Sequence, residues 1–189
     1  MTPLRYRRVK ESHFGKSRKL VRETRSQFDL LQGVSTQTDA LGNKTQTISD
    51  VFGRTVAQID ALGNRTEMVY NRAGEVIEQR DPMGRVTQFV YDSLGRRIAT
   101  IFPKPEEKAV APVRRTVYNV LGQVIQEIDP LGNATSVEYD VYGRRSAVVD
   151  VEGGRTEFTY DANGKLLSLK DPVDNVTSYV YDESGRLLA

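Results

Sequence analysis

The chain contains no cysteine and no tryptophan, and its one histidine is His13. Without cysteine there is neither a disulfide framework nor a thiolate metal site, and a single imidazole cannot build a histidine-based metal centre. Nucleophilic catalysis needs a base that is oriented beside the nucleophile, and His13 lies in a basic segment outside the chain's recurring motifs. We therefore predict that the protein is not an enzyme and holds no cofactor or metal.

Long apolar runs are also missing. No stretch approaches the roughly 18 apolar residues of a membrane-spanning helix, and the first residues lack the apolar region of a signal peptide. We expect neither a membrane span nor a signal peptide in this chain. Hydrophobic residues make up 38% of the 189 residues, which is lean for a densely packed domain. A large dry core is therefore not expected.

Positive charge is concentrated at one end of the chain. Residues 1–27 hold nine Lys or Arg against Glu11 and Glu23, although the whole chain has a net charge of only +2. Basic segments of this kind are typical of nucleic-acid or anionic-surface contacts, but this one has no groove-binding motif and no aromatic stacking pattern. We predict no nucleic-acid binding. Residues 1–27 are interpreted as a basic N-terminal segment, disordered or a degenerate repeat.

Repetition dominates the rest of the sequence. A tyrosine recurs at intervals of 21 residues, and an aspartate half a unit away recurs at the same interval. The tyrosines are Tyr70, Tyr91, Tyr118, Tyr139, Tyr160 and Tyr181. The one longer interval, from Tyr91 to Tyr118, indicates an insertion within residues 103–112, which is rich in proline. We predict that residues 28–189 form an array of 21-residue units with an inserted loop near residues 103–112.

Each unit carries two turn motifs, Asp-Pro/Ala-x-Gly and Tyr-Asp-x-x-Gly-Arg. Asp hydrogen-bonds the backbone two residues on, Pro presets φ at the next position, and Gly accepts the positive φ that closes a hairpin loop. The predicted structural turn residues are Asp60, Gly63, Asp81, Pro82, Gly84, Asp92, Gly95, Asp129, Pro130, Gly132, Asp140, Gly143, Asp161, Gly164, Asp171, Pro172, Asp182 and Gly185.

The runs between turns are too short for helices and alternate with a period of two, as in Thr87, Phe89 and Tyr91. We predict an all-β fold, a repeat array of antiparallel β-hairpins. About sixteen strands exceed the roughly ten that an open sheet usually holds before it curls. The ribbon is therefore expected to coil into a spiral open sheet or part of a hollow β-shell. Unpaired strands at its ends would need further repeats or a partner chain.

Two interpretations of the aromatic rows remain open. Tyr91, Tyr139, Tyr160 and Tyr181 are a possible binding face for a ligand, or they form cross-strand pairs that hold the sheet together. The recurring arginines after the turn glycines are interpreted as solvated partners of the turn aspartates. These arginines are Arg54, Arg96, Arg144 and Arg186.

The two motifs in fixed register identify a resemblance. Tyr-Asp-x-x-Gly-Arg, followed about ten residues later by Asp-Pro-x-Gly-x-x-Thr, resembles the YD repeat of Rhs (rearrangement hotspot) proteins across residues 28–189. Departures include Ser49 for tyrosine, Asn71 and Asn119 for aspartate, and Asp174 for glycine.

The resemblance implies a structural segment of a hollow β-shell without catalysis of its own. In this family such shells encapsulate a toxin or form part of an extracellular adhesion receptor. It also implies a secreted or cell-surface protein whose partners are further YD repeats, a chain that completes the shell, or a toxin cargo. The alternative is a repeat module that binds carbohydrate or a cell-surface protein.

Overall fold

The computed structural model describes residues 24–188 and the backbone of residues 5–8. This part of the chain consists of β-strands and turns without a helix, which confirms the predicted all-β array of antiparallel hairpins. Consequently, no helix in it is long and apolar enough to cross a membrane. His13 lies outside the described residues, as does most of the basic N-terminal segment.

The chain divides into two compact units, the first ending at Phe89 and the second beginning at Val90. The boundary falls inside strand β8. The strands up to this boundary are β1 (Arg5–Arg8), β2 (Thr24–Asp29), β3 (Val34–Thr38), β4 (Lys44–Ser49), β5 (Thr55–Ile59), β6 (Arg65–Tyr70), β7 (Val76–Arg80) and β8 (Val86–Tyr91). Within this unit each strand pairs antiparallel with the next strand along the chain.

The second unit repeats the same arrangement. Its strands are β9 (Arg97–Ile101), β10 (Val113–Tyr118), β11 (Val124–Ile128), β12 (Ala134–Tyr139), β13 (Arg145–Val149), β14 (Arg155–Tyr160), β15 (Leu166–Lys170) and β16 (Val176–Ser178). These strands also pair antiparallel in chain order. A longer loop joins β9 to β10, and its base is closed by the Phe102 N–H, which donates to the Pro112 carbonyl at 2.8 Å.

The two kinds of hairpin differ in register. Hairpins that turn after a tyrosine shift register at that tyrosine, as where Glu138 pairs with Ala147 but Tyr139 pairs with Arg145. Hairpins that turn after the other aspartate pair without a shift, as in β13 and β14. The shift is a β-bulge, which places one extra residue in the strand after the turn and increases local twist.

Burial in this sheet is slight. Among the described residues only Ala57 and Ala147 are fully buried. Ala147 pairs with Glu138 on one side and Glu157 on the other, and Arg155 bridges these two carboxylates at 2.6 and 2.9 Å. The sheet therefore has little of the packed core that stabilises most domains, and its turns and cross-strand contacts must supply more of the order.

Candidate functional site: the carboxylate-clamped turns

In each unit the hairpin turns alternate between the two ends of the strands. We call one end the tyrosine rim, whose turns begin at Asp50 and Asn71 in the first unit and at Asp92, Asn119, Asp140, Asp161 and Asp182 in the second. We call the other end the asparagine rim. Its turns begin at Asp39, Asp60 and Asp81 in the first unit and at Asp129, Asp150 and Asp171 in the second.

Most of these turns are closed by one carboxylate. In the turn from Asp129 to Asn133, Oδ1 of Asp129 accepts the backbone N–H of Leu131 at 2.8 Å and of Asn133 at 2.9 Å. Oδ2 accepts the side-chain amide of Asn133 at 2.8 Å. The Gly132 N–H donates to the Asp129 carbonyl at 3.0 Å. One aspartate thus organises five residues, an arrangement that we call the carboxylate clamp.

The fourth position of each clamp needs a left-handed backbone. Gly132 has φ of 91°, which costs glycine little because it has no Cβ. Asp174 occupies the same position in its turn with φ of 67°, and it is the one non-glycine residue with positive φ in the described part of the chain. This explains why glycine recurs so regularly in the sequence.

Several clamps lower the pKa of their aspartate. The side-chain amide of Asn133 and the backbone N–H groups of Asn133 and Leu131 outweigh partial desolvation and lower the pKa of Asp129. At Asp92 the backbone N–H of Arg96 is the largest cause of a lowered pKa, and the Arg96 side chain adds to it. Hydrogen bonds donated to the charged form favour that form.

On the tyrosine rim the fifth residue of the turn also reaches the next turn. Arg144 donates through Nε to Asp140 at 2.7 Å and through Nη1 to the backbone carbonyl of Asp161 at 2.9 Å. Its guanidinium carbon lies 4.7 Å from the centre of the Tyr160 ring. Such cation–π contacts contribute about 0.5 to 1 kcal/mol at exposed sites. Two consecutive turns of the rim are therefore joined by one arginine.

The same contacts recur elsewhere on this rim. Arg54 lies 4.7 Å from the Tyr70 ring and donates to the Asn71 carbonyl at 3.3 Å. Arg96 lies 4.7 Å from the Tyr118 ring and donates to the Asn119 carbonyl at 3.3 Å. We call the combination of arginine, tyrosine ring and turn carbonyl the tyrosine link.

The tyrosine hydroxyl completes the link. Tyr160 donates its hydroxyl to the carbonyl of Arg145 at 2.9 Å, directly after Arg144 in the chain. Tyr70, Tyr139 and Tyr181 make the equivalent bond to the first residue of the strand that follows the preceding turn of the rim. Each of these four tyrosines thus contacts the preceding repeat through its hydroxyl.

The segments that contain these turns and tyrosines match a known protein family. The model of the RHS repeat family matches residues 70–104, 118–156 and 160–189, more than half of the chain. The chain belongs to the RHS repeat family. No curated protein sequence matches it.

Several solved structures are similar to this RHS repeat chain. A crystal structure of TcdB2-TccC3-Cdc42 has a TM-score of 0.48 at 16% identity and covers 88% of this chain. A crystal structure of TcdB2-TccC3 has a TM-score of 0.46 at 16% identity, and a structure of the Photorhabdus luminescens Tc holotoxin pore has 0.44 at 17% identity, each covering 88% of this chain. The matched region spans only 12 to 13% of those chains.

The structure places every predicted turn residue of the RHS repeats in a hairpin turn. Pro82, Pro130 and Pro172 occupy the exposed second position of their turns. The predicted pairing of the recurring arginines with turn aspartates is present at Arg54, Arg96, Arg144 and Arg186.

The possible binding face of the tyrosines stays a prediction. The hydroxyls of Tyr139, Tyr160 and Tyr181 donate hydrogen bonds to backbone carbonyls. Tyr91 is half-buried and also has an interaction within the protein. A ligand at this face would therefore meet ring surfaces rather than free hydroxyls.

Sequence reasoning missed the role of asparagine at the fifth turn position and the bond from the arginine to the next turn. Asn43, Asn64, Asn133 and Asn175 all donate their amides to the aspartate four residues earlier. Their constant spacing from the aspartate was the available signal. The contact of Arg144 with Asp161 has no such signal, since it depends on how the strands between them pair.

Proposed function

We propose that this chain is a length of wall in an RHS-type β-shell, with a structural role and no catalytic role. The observation that carries the proposal is the tyrosine link. Arg144, Tyr160 and the Asp161 carbonyl belong to two consecutive repeats, and neither repeat can form the link alone. A chain of such links suits a continuous surface better than a set of separate hairpins.

The slight burial supports the same function. Two fully buried alanines cannot hold a domain by core packing, so the sheet depends on hydrogen bonds and cross-strand contacts that run along its length. Repeat proteins of this kind are stabilised chiefly between neighbouring repeats. The turn carboxylates are engaged in the clamps, which gives them a structural task.

The finer proposal is that the completed shell encloses a polypeptide cargo such as a toxin, outside the cell that makes it, with further repeats or a partner chain closing it. Its support is the resemblance of the repeats to Rhs shells. This chain corresponds to about an eighth of the length of the similar solved chains, so the function of a whole shell remains a proposal for it.

The structural proposal is tested by comparing amide hydrogen exchange in the intact chain and in its Tyr160→Ala variant. The variant removes the ring beside Arg144 and the bond to the Arg145 carbonyl. If repeats stabilise one another, exchange should accelerate in β12 and β13 as well as in β14, which carries the substitution. The matched control is Asn133→Ala, whose lost bond lies within one turn.

Acceleration confined to β14 and its own turn would contradict the proposal, because it would mean that each hairpin folds independently. If both variants accelerated exchange over equally many strands, the tyrosine link would not be what joins the repeats.

A further inference from the structure

The regular repeat is interrupted at the loop between β9 and β10. The five-residue turn of the asparagine rim is replaced there by residues 102–112, and a groove of about 300 Å³ lies beside the loop. The groove is lined by Arg97, Ala99, Thr100, Phe102, Arg114, Thr116 and Glu127. All of these residues belong to the second unit.

Two lining residues depart from the repeat in the same place. Phe102 stands where the repeat has a turn aspartate such as Asp150, and Arg114 stands where it has a strand threonine such as Thr156. Thr116 pairs with Glu127 at a position where the next two repeats have the apolar pairs Val137 with Val148 and Phe158 with Leu169. The first unit has a polar pair there, Thr47 with Gln58.

Compared with the next two repeats, this position has less apolar cross-strand packing. Among the described residues, neither the Arg114 nor the Glu127 side chain has a hydrogen-bond or ion-pair partner. Arg114 contacts the ring of Phe102, with its guanidinium carbon 5.7 Å from the ring centre. Its N–H donors are therefore oriented by the ring and remain available, as do the carboxylate oxygens of Glu127.

We propose that this groove binds a neutral, hydroxyl-rich ligand, a single hexose unit of a glycan. Arg114 offers donors, Glu127 offers acceptors, and the hydroxyls of Thr100 and Thr116 can do either. An isolated anion would meet the charge of Glu127 and an isolated cation that of Arg114, whereas sugar hydroxyls accept from one and donate to the other. Arg97 already has an interaction within the protein.

The size and shape of the groove agree with this ligand class. A volume of about 300 Å³ is at the lower limit of small-molecule sites, which suits one sugar ring. The half-buried ring of Phe102 supplies apolar surface beside the polar groups, and a hexose has both an apolar C–H face and a rim of hydroxyls. Pro103 and Pro105 stiffen the loop next to the ring.

Saturation-transfer NMR on the intact chain tests the site. The probes are D-glucose, D-galactose, D-mannose and N-acetyl-D-glucosamine at about 10 mM, above a millimolar dissociation constant. Acetate and methylammonium serve as charged comparison probes. We expect saturation transfer to at least one sugar, with affinity reduced about tenfold by Arg114→Ala and by Glu127→Ala, since each removes a charged hydrogen-bonding group.

The matched control is Arg115→Ala. Arg115 follows Arg114 in β10 and therefore points to the opposite face of the strand, and it does not line the groove, so its removal should leave sugar binding unchanged. Arg114 and Glu127 are exposed, and circular dichroism should show that their variants fold. Glu127→Gln keeps the side-chain size if the alanine variant does not fold.

Three outcomes would overturn the proposal. They are the absence of transfer to every sugar, binding of acetate or methylammonium alone, and sugar binding that Arg114→Ala and Glu127→Ala leave intact. The structural role is tested separately by amide hydrogen exchange in β12 to β14. An absence of sugar binding would contradict the proposed sugar site without affecting the proposed structural role.

Discussion

The two rims of the sheet use the same carboxylate clamp but differ in how far its fifth residue reaches. On the asparagine rim Asn133 closes its own turn and ends there. On the tyrosine rim Arg144 closes its own turn and continues to the carbonyl and ring of the next repeat. The asparagine-rim turns are therefore closed within themselves, whereas on the tyrosine rim Arg54, Arg96 and Arg144 each join two consecutive turns of the same unit.

An arginine alone does not create the link. Arg85 is the fifth residue of an asparagine-rim turn and clamps Asp81 at 2.6 Å, yet its side chain is 61% exposed. Arg144 on the tyrosine rim is 26% exposed. The residues before the asparagine-rim aspartates include Thr38, Ile59, Arg80, Ile128, Val149 and Lys170, none of them aromatic. The tyrosine before the next turn therefore makes the difference.

Acid should have the largest effect, because it acts on the clamps of both rims at once. The pKa values of Asp60, Asp92, Asp129 and Asp182 are lowered by hydrogen bonds in the folded chain. The unfolded chain then binds more protons as the pH falls, so the stabilisation is present above about pH 4 and is lost as the pH falls through the folded values. The urea midpoint should decrease between about pH 5 and pH 2.

A urea midpoint that stayed constant over this range would mean that the clamps contribute nothing to folding. A decrease complete above about pH 5 would also contradict the prediction, because it would require raised rather than lowered aspartate pKa values.

Replacing a tyrosine-rim arginine by the asparagine typical of the other rim should have the next largest effect on stability. Arg144→Asn keeps a side-chain donor for Asp140 but loses the contacts with Tyr160 and the Asp161 carbonyl. We expect a loss of about 2 kcal/mol in the free energy of unfolding, from one charged hydrogen bond and the cation–π contacts with Tyr142 and Tyr160. Denaturant titration of the intact chain measures it.

The control for this substitution is Asn133→Ala on the asparagine rim. It removes one exposed side-chain bond to Asp129, and we expect a loss of about 0.5 kcal/mol. Equal losses at the two sites would show that the rims do not differ energetically.

Removing a single hydroxyl should have a smaller effect. Tyr139→Phe deletes the bond to the Val124 carbonyl, 2.9 Å long and partly buried, and keeps the ring. The preceding turn ends in Gln123, which bonds the Gly143 carbonyl at 2.9 Å, so the hydroxyl is tested apart from an arginine. We expect a loss of about 1 kcal/mol in unfolding free energy. An unchanged denaturation midpoint would contradict a structural role for the hydroxyl.

The contrast between the rims shows what sequence could and could not predict. The period of 21 residues, the turn aspartates and glycines and the strand alternation are local signals, and they predicted the hairpin array. The bond from Arg144 to Asp161 spans 17 residues, and it forms because β13 and β14 bring two turns together. The groove escaped prediction because Arg114 and Glu127 are distant in sequence, while the repeat pattern drew attention to the tyrosines.

The smallest expected effect comes from the irregular turn of the asparagine rim. Asp174 has φ of 67°, where a side chain is disfavoured, and its carboxylate forms an ion pair with Lys170 at 2.7 Å. Asp174→Gly removes the cost of a positive φ in a residue with a Cβ, about 1 kcal/mol. It also removes the exposed ion pair with Lys170, which contributes less than about 0.5 kcal/mol. We therefore expect stabilisation by about 0.5 kcal/mol in denaturant titration, with Asp174→Ala destabilising. A glycine variant less stable than the parent chain would mean that the ion pair with Lys170, and not the glycine geometry of the other clamps, holds this turn.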